Sequence, residues 1–275
     1  MPDVTDRWTE SSAAGGPLLP WRELWRAREL VVIFAQRDLR VRYKQAVFGV
    51  GWVVLQPVIT VLAFTLVFDR LAGVSSGDVP YPVFALAGLL GWTYLTACIS
   101  RGSDVLVSNS ALITKVYFPR ILAPLASLVP PLVDLCIGLV LLLLLCLVYG
   151  VVPGPQLLLL PLWLAFLVVT ALGVVCLLAA LNVRFRDVRQ IVAPALQALL
   201  FLSPVAYSAR SLSGVGEVLY SLNPIVGVLE LGRWMLIGAP WPGWTLAVSM
   251  VSAALLAVSG VVYFQRAQRA FADVI

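Results

Sequence analysis

Uncharged stretches long enough to cross a bilayer recur along this chain, separated by short charged intervals. An ionisable side chain costs about 2.5–3.5 kcal/mol at the centre of an inserting helix, so the stretches between charges mark spans. Six follow from this pattern: about 45–68, 82–100, 121–149, 156–182, 190–209 and 243–264. Asp69 and Arg70 close the first, and Arg101 closes the second. The block 121–183 carries one acid, Asp134, and is too long for one helix of about 20 residues. A Gly-Val-Val-Pro-Gly-Pro breaker at 150–155 divides it. The pattern predicts an all-α integral membrane protein.

Two segments depart from it. The interval 210–242 is too apolar for an ordinary loop, yet contains Glu217, Glu230 and Arg233. Asn223 followed by Pro224 reads as an N-cap with proline at the first helical position, and Gly238 as a stop. A helix over 224–237 would be about 21 Å long, short of the ~30 Å hydrocarbon core. It should therefore dip in and return, with a short helix near 217–222 as the other arm. The second segment is 21–43. On a helical wheel Trp21, Leu24, Trp25, Val32, Ala35 and Leu39 share one face, while Arg22, Arg26, Glu29, Arg37 and Arg40 share the other. Leu30 and Phe34 fall on the polar side. Such a basic helix lies in the membrane interface, either as an anchor or as a docking surface for a cytoplasmic subunit. Residues 1–20 contain no apolar stretch of the kind a signal peptide needs and read as a disordered N-terminal segment, so insertion falls to the spans.

Composition agrees with the pattern. Of 275 residues, 61% are apolar and 12% are charged, against about 45–50% and about 25% in soluble domains. No separate soluble catalytic domain fits. The net charge is +5, from 17 Arg and 2 Lys against 14 acids. With the N-terminus in the cytoplasm, 16 of the 19 basic residues fall on the cytoplasmic side, and both termini, including the tail 265–275, are cytoplasmic. The basic excess is thus topological, and no nucleic-acid partner is required. Histidine is absent, which removes the commonest general base and metal ligand. Cys98, Cys136, Cys146 and Cys176 lie in apolar runs and read as small buried hydrophobes. No catalytic, cofactor or metal site emerges. A P-loop needs a lysine after glycine, and neither Lys44 nor Lys115 follows one, so any ATP hydrolysis belongs to another chain.

Four features could carry function. The loop 101–120 is long for a turn between helices and has Ser103 and Asp104 as a possible N-cap; it is either a protruding helix that receives a push from a motor or a solvated connector. Residues 182–190 place Arg184, Arg186, Asp187 and Arg189 at a membrane boundary, as topogenic charge or as a contact site. Asp134 is the only acid inside a long span; it is a functional candidate or a hydrogen-bond partner for a neighbouring helix. Tyr81, Tyr149, Trp241 and Trp244 sit at boundaries as anchors. Trp52, Trp92 and Tyr94 lie away from those belts and could offer flat faces to sugar rings if they line a pore.

The order of motifs resembles a known family. Residues 42–52 (Arg-Tyr-Lys-Gln-Ala-Val-Phe-Gly-Val-Gly-Trp), then Leu-Gln-Pro at 55–57, are similar to the start of ABC-2 type permeases that export lipid-linked polysaccharides: the O-antigen (Wzm-like), teichoic-acid and cell-wall galactan exporters. Residues 109–120, 182–187, 203–207 and 222–234 follow in that family's order. The resemblance spans 42–264 and implies a type V-like half-transporter in the bacterial cytoplasmic (inner) membrane. By this resemblance it would pair with a second copy and with two ATPase subunits that carry ATP and Mg. By the same resemblance Asp104, Asn109, Leu112, Lys115 and Tyr117 would belong to a coupling helix over 103–117 seated in the ATPase. Trp21, Trp25, Arg26 and Arg37 would belong to the interface helix. Asn223, Pro224, Glu230 and Arg233 would form a gate. Trp52, Phe64, Trp92, Tyr94, Phe201 and Tyr207 are pore candidates. The diphosphate of a polyprenyl carrier would sit near Arg37, Arg40, Arg42 or Lys44. Rival readings are an ABC-2 permease for drugs or small lipids, a membrane-embedded polyprenyl-phosphate enzyme and a proton-coupled carrier using Asp134.

Overall fold

A computed structural model describes residues 28–44, 51–110, 118–208 and 214–268, with the backbone alone at 41–44. Helix α1 is Arg28–Lys44. Helix α2, Gly51–Phe64, continues as a π-helical stretch, Thr65–Leu71, so that Asp69 and Arg70 lie on the helix instead of ending it. Helix α3 is Tyr81–Gly102 and α4 is the single turn Val105–Ser108. Helices α5, Leu122–Ser127, and α6, Val129–Tyr149, form one apolar rod with a joint at Leu128, ahead of Pro130 and Pro131. After the 150–155 breaker, a 3₁₀ turn, Pro155–Leu159, leads into α7, Leu160–Arg184. Then come α8, Val188–Phe201; α9, Val215–Ser221; α10, Pro224–Ile237; and α11, Thr245–Ala267.

Among the described residues five helical segments are long and apolar enough to cross a membrane: Gly51–Leu71, Tyr81–Gly102, Leu122–Tyr149, Pro155–Arg184 and Thr245–Ala267. The segment expected as a span over 190–209 is helical only over Val188–Phe201, about 21 Å. Pro204 is the physical reason: it disfavours helical backbone at Ser203 and offers no N–H to continue the ladder. The chain continues beyond it through the buried stretch 203–206. Arg189 contacts Asp104 just beyond the C-terminal end of α3, and the Tyr81 hydroxyl at its N-terminal end donates to the Ala206 carbonyl at 2.8 Å. Residues 188–208 therefore run the length of α3, about 33 Å. The two ends of the bundle are called here the basic end (101–110, 182–189) and the far end.

Helix α3 is the axis. Almost every position from Tyr81 to Leu95 is buried, and it packs against α2, α6, α7 and α10. Small residues permit the close approach that drives helix association in lipid: a Cβ on Gly91 would lie 2.9 Å from Leu229 Cδ2, and one on Gly138 of α6 would lie 2.4 Å from Leu90 Cδ2. The longest seam joins α7 to α11, where a Cβ on Gly260 would sit 2.1 Å from the Gly173 carbonyl oxygen. A second, smaller core at the basic end gathers Val105, Leu106, Phe118, Ile121, Cys176, Val261 and Phe264.

Helix α1 covers that smaller core with a different face from the one expected. Ala35 is buried and Leu30, Val31 and Phe34 pack inward, whereas Val32 and Ile33 are more than half exposed. The wheel drawn over 21–43 took its phase from Trp21 and Trp25, but the helix described begins at Arg28, and its contact with α5 fixes the phase. Cys98, Cys146 and Cys176 are buried, but Cys136 is exposed, because an apolar run in a spanning helix also supplies its outward surface.

Candidate coupling site and far-end clasp

At the basic end, α3 stops at Gly102 and the chain turns through Ser103 and Asp104 into α4. Asp104 occupies the N-cap position but its side chain makes no capping bond. It turns instead toward the next loop. Asn182, buried on the last turn of α7, donates to the Ser103 carbonyl at 2.9 Å and to Asp104 Oδ1 at 3.3 Å. Arg189 on the first turn of α8 reaches Asp104 Oδ2 at 3.8 Å. On the other flank Arg37 of α1 donates to Asn109 Oδ1 at 2.8 Å, and the Asn109 amide donates to the Val105 carbonyl at 2.8 Å. The Phe34 and Phe118 rings lie 5.7 Å apart, and Arg120 donates to the Gln268 carbonyl at the end of α11 at 2.6 Å.

The described parts of the loop 101–120 are thus held by α1, α7, α8 and α11. The Arg189–Asp104 pair is largely exposed and contributes at most about 1 kcal/mol. Each buried Asn182 bond contributes about 0.5–1.5 kcal/mol and spares a desolvated amide. Burial of Val105 and Leu106 adds to this. The loop is therefore tied to α7 by the Asn182 bonds and to α8 by the more exposed Arg189 pair. Asn182 and Arg189 were not singled out as coupling residues from sequence; the usable signal was an asparagine at the charged end of an apolar span.

Of the expected coupling residues, Asp104 and Asn109 lie in this cluster, while Leu112, Lys115 and Tyr117 fall outside the described residues. So do Trp21, Trp25 and Arg26 of the interface segment, and the side chains of Arg42 and Lys44. Arg37 joins α1 to Asn109, and Arg40 is exposed on α1.

The far end is organised by Arg233, which is fully buried on α10. Its Nη2 donates to the Val205 carbonyl at 2.6 Å, and its Nη1 to the Tyr207 carbonyl at 3.0 Å and to Glu230 Oε1 at 3.3 Å. The guanidinium lies 3.8 Å from the centroid of Phe84, a cation–π contact. Gly88 leaves it room, since a Cβ there would lie 2.5 Å from Nη2. Tyr207 hydrogen-bonds Tyr220 at 2.8 Å and donates to the Phe201 carbonyl at 2.8 Å. Asn223 accepts from the Ile225 N–H at 3.0 Å, Pro224 occupies the first turn, and Gly238 (φ +69°) closes the helix. The α9–α10 turn is held by Ser249, which donates to the Ser221 carbonyl at 2.7 Å, and by Ser252, which donates to the Leu222 carbonyl at 2.5 Å. Ser252 lies seven residues into α11, so this turn sits about 10 Å below the far end.

The aromatic candidates separate. Trp52 and Phe201 are about half and 70% exposed on α2 and α8, and Phe64 packs edge-on against Phe68 at 5.3 Å. Trp92 and Tyr94 are buried in the core, with the Tyr94 hydroxyl directed to the Leu128 carbonyl. Trp163 went unremarked in the sequence. It is buried, donates to the Val228 carbonyl at 2.9 Å and packs against Gly232.

The chain is thus a bundle of apolar spans with a braced loop at one end and, at the other, a short hairpin whose second arm, α10, is buried. The profile of the ABC-2 type transporter family matches residues 29–237, and the chain belongs to that family. It is 30% identical over 211 residues to the O-antigen export system permease protein RfbA of Myxococcus xanthus, covering 76% of this chain and 80% of that protein. Two proteins of the same name from Klebsiella pneumoniae are 21% and 22% identical over 248 residues, covering 90% of this chain and 95% of each.

Proposed function

We propose that this chain is the membrane subunit of an ATP-binding-cassette exporter that carries a polyprenyl-diphosphate-linked polysaccharide across the bacterial cytoplasmic membrane. The reading rests on relatives that cover 76–90% of the chain and are named as O-antigen export permeases. The single structural observation that carries it is the braced loop 101–110. An ATP-driven permease without its own nucleotide site must receive motion at a cytoplasmic element stiff enough to pass it on, and differential contacts in two states must favour one arrangement of the spans.

In this account the basic end is cytoplasmic, both termini lie there, and residues 188–208 make a sixth crossing, supported by the contacts at the two ends of α3. Two copies assemble with two ATPase subunits that hold ATP and Mg. Dimerising ATPases push the loop 103–117. Asn182 and Arg189 pass the push to α7 and α8, and the 203–207 segment passes it to Arg233 and the α9–α10 gate. The half-exposed or exposed aromatic residues Trp52, Phe64, Phe201 and Tyr207 give a sliding glycan apolar faces without deep wells. The carrier diphosphate waits near Arg37, Arg40, Arg42 and Lys44, since hydrocarbon rejects an unpaired anion.

The test is reconstitution with the cognate ATPase, replacing 109–117 by a Gly/Ser linker. Loss of permease-stimulated ATP hydrolysis and of glycan export is expected; unchanged hydrolysis and export would remove the loop from the mechanism.

A further inference from the structure

The two arms of the far-end hairpin are held very differently. In α10 every residue from Ile225 to Ile237 except Trp234 is buried. The helix is keyed to three neighbours: Leu229 meets Gly91 of α3, Val228 and Gly232 meet Trp163 of α7, and Gly227 meets Ser249 of α11. In α9 only Ser221 is buried, while Val215, Gly216, Val218 and Leu219 are exposed. Between α9, α10 and α11 lies a cavity of about 50 Å³, lined by Tyr220, Glu230, Thr245 and Ser249 among others, against the ~10–15 Å³ that one water needs. A close-packed seat such as that of α10 resists displacement; the roomier, partly polar seat of α9 resists it less.

Main-chain hydrogen bonding fixes which arm stays. Beyond Phe201 the chain leaves the helix, and the carbonyls of Val205, Ala206 and Tyr207 accept from Arg233, Tyr81 and Arg233 again. In the membrane no water replaces a lost donor, so α10 cannot withdraw from 203–207 without stranding two carbonyls. Helix α10, this segment and the start of α3 therefore form one body. The Tyr207 hydroxyl gives its one proton to the Phe201 carbonyl, so in its bond with Tyr220 it accepts and Tyr220 donates. That bond ties α9 to the body. The carbonyls of Ser221 and Leu222, held by Ser249 and Ser252 of α11, pin one end of α9. At the other end Gly214 has φ +65°, and a Cβ there would meet nothing within 4 Å, so glycine serves the backbone conformation of a joint and not close packing.

We infer that α9 alone is the moving arm of the far-end gate: it swings about the pinned 221–223 turn, with Gly214 as the joint at its opposite end, and the Tyr220–Tyr207 hydrogen bond latches it to the core while α10 stays in place. This rests on the polysaccharide-export reading above and gives the two arms of that gate different tasks.

The test uses the full chain with its ATPase in vesicles, in a Cys136→Ser background, with labelled chains diluted by unlabelled ones so that distances are read within one copy. One spin label is placed on Leu255→Cys, exposed on α11, and the second on Val215→Cys or on Leu222→Cys. Val215 stands about 9 Å from the pinned turn along α9. Between the nucleotide-free complex and one trapped with ATP and vanadate, the 215–255 distance should change by about 4 Å or more and the 222–255 distance by about 2 Å or less, as a lever of that length requires. Equal changes at both positions, which would mean that the whole hairpin moves, or no change at either, in a complex that exports glycan, would overturn the proposal. Tyr220→Phe keeps the ring and removes the donor, so without nucleotide it should raise the population at the trapped-state distance about five-fold or more. A distribution identical to that of the unsubstituted complex would overturn the latch. Glycan that never crosses in the unsubstituted complex would instead overturn the export reading, and the gate with it.

Discussion

Helices α2 and α3 are both apolar enough to span a bilayer, yet they sit in opposite places. In the most apolar stretch of α2 with its π-helical extension, 6% of residues are buried; in α3 the share is 78%, although α3 is the less apolar of the two. In lipid, apolarity does not choose the centre, because a hydrocarbon tail solvates leucine as well as another helix does. What chooses it is close approach. Helix α3 offers Ala85, Ala87, Gly88, Gly91 and Gly102 to its neighbours, and it receives the fully buried Arg233 on Phe84 and Gly88. Helix α2 carries leucine, valine and isoleucine outward and keeps Gln56 and Thr60 for a cavity it shares with α3 and α6.

That contrast can be broken or sharpened by substitution, read as the thermal unfolding midpoint of the detergent-solubilised protein. Arg233→Met should be the most damaging, about 3–5 kcal/mol, because it removes the cation beside the buried Glu230 carboxylate and frees the Val205 and Tyr207 carbonyls. Adding Glu230→Gln should recover part of the loss; a double variant no better than the single one would mean that the carbonyl contacts dominate. Gly91→Leu should follow at about 1–3 kcal/mol through overpacking against Leu229. Trp163→Phe, which keeps most of the ring and removes the bond to Val228, should cost about 0.5–1.5 kcal/mol. Leu62→Ala on α2, where the side chain is 64% exposed, should change the midpoint least, by about 0.5 kcal/mol or less. If Leu62→Ala matched Gly91→Leu, the distinction between the two helices would fail.

Much of the helix order is legible in the residues because charge is so costly in the bilayer that gaps between charges trace it. The α10 helix was equally readable, since Asn223, Pro224 and Gly238 are local signals whose geometry follows from backbone hydrogen bonding. Three things were not. The early end of α8 turns on Pro204, which an uncharged-stretch criterion ignores. The inward face of α1 is set by α5, a tertiary contact invisible to a helical wheel. The core position of Trp92 and Tyr94 depends on which spans pack centrally, and small residues decide that more than aromatic ones do. At the basic end, Asp104 was readable as a loop residue, but its partners Asn182 and Arg189 come from the end of α7 and the start of α8, some 80 residues away, and needed the fold.

The central claim is that this permease, with a separate ATPase, moves a lipid-linked polysaccharide. The most direct measurement incorporates the complex into sealed vesicles, loads the ATP-accessible face with glycan-bearing carrier lipid and follows lectin-detectable glycan on the opposite face. The account predicts that glycan appears there only with hydrolysable ATP and is lost in Asn182→Ala. Glycan that never crosses while a small lipid or drug is carried in an ATP-dependent way would contradict it.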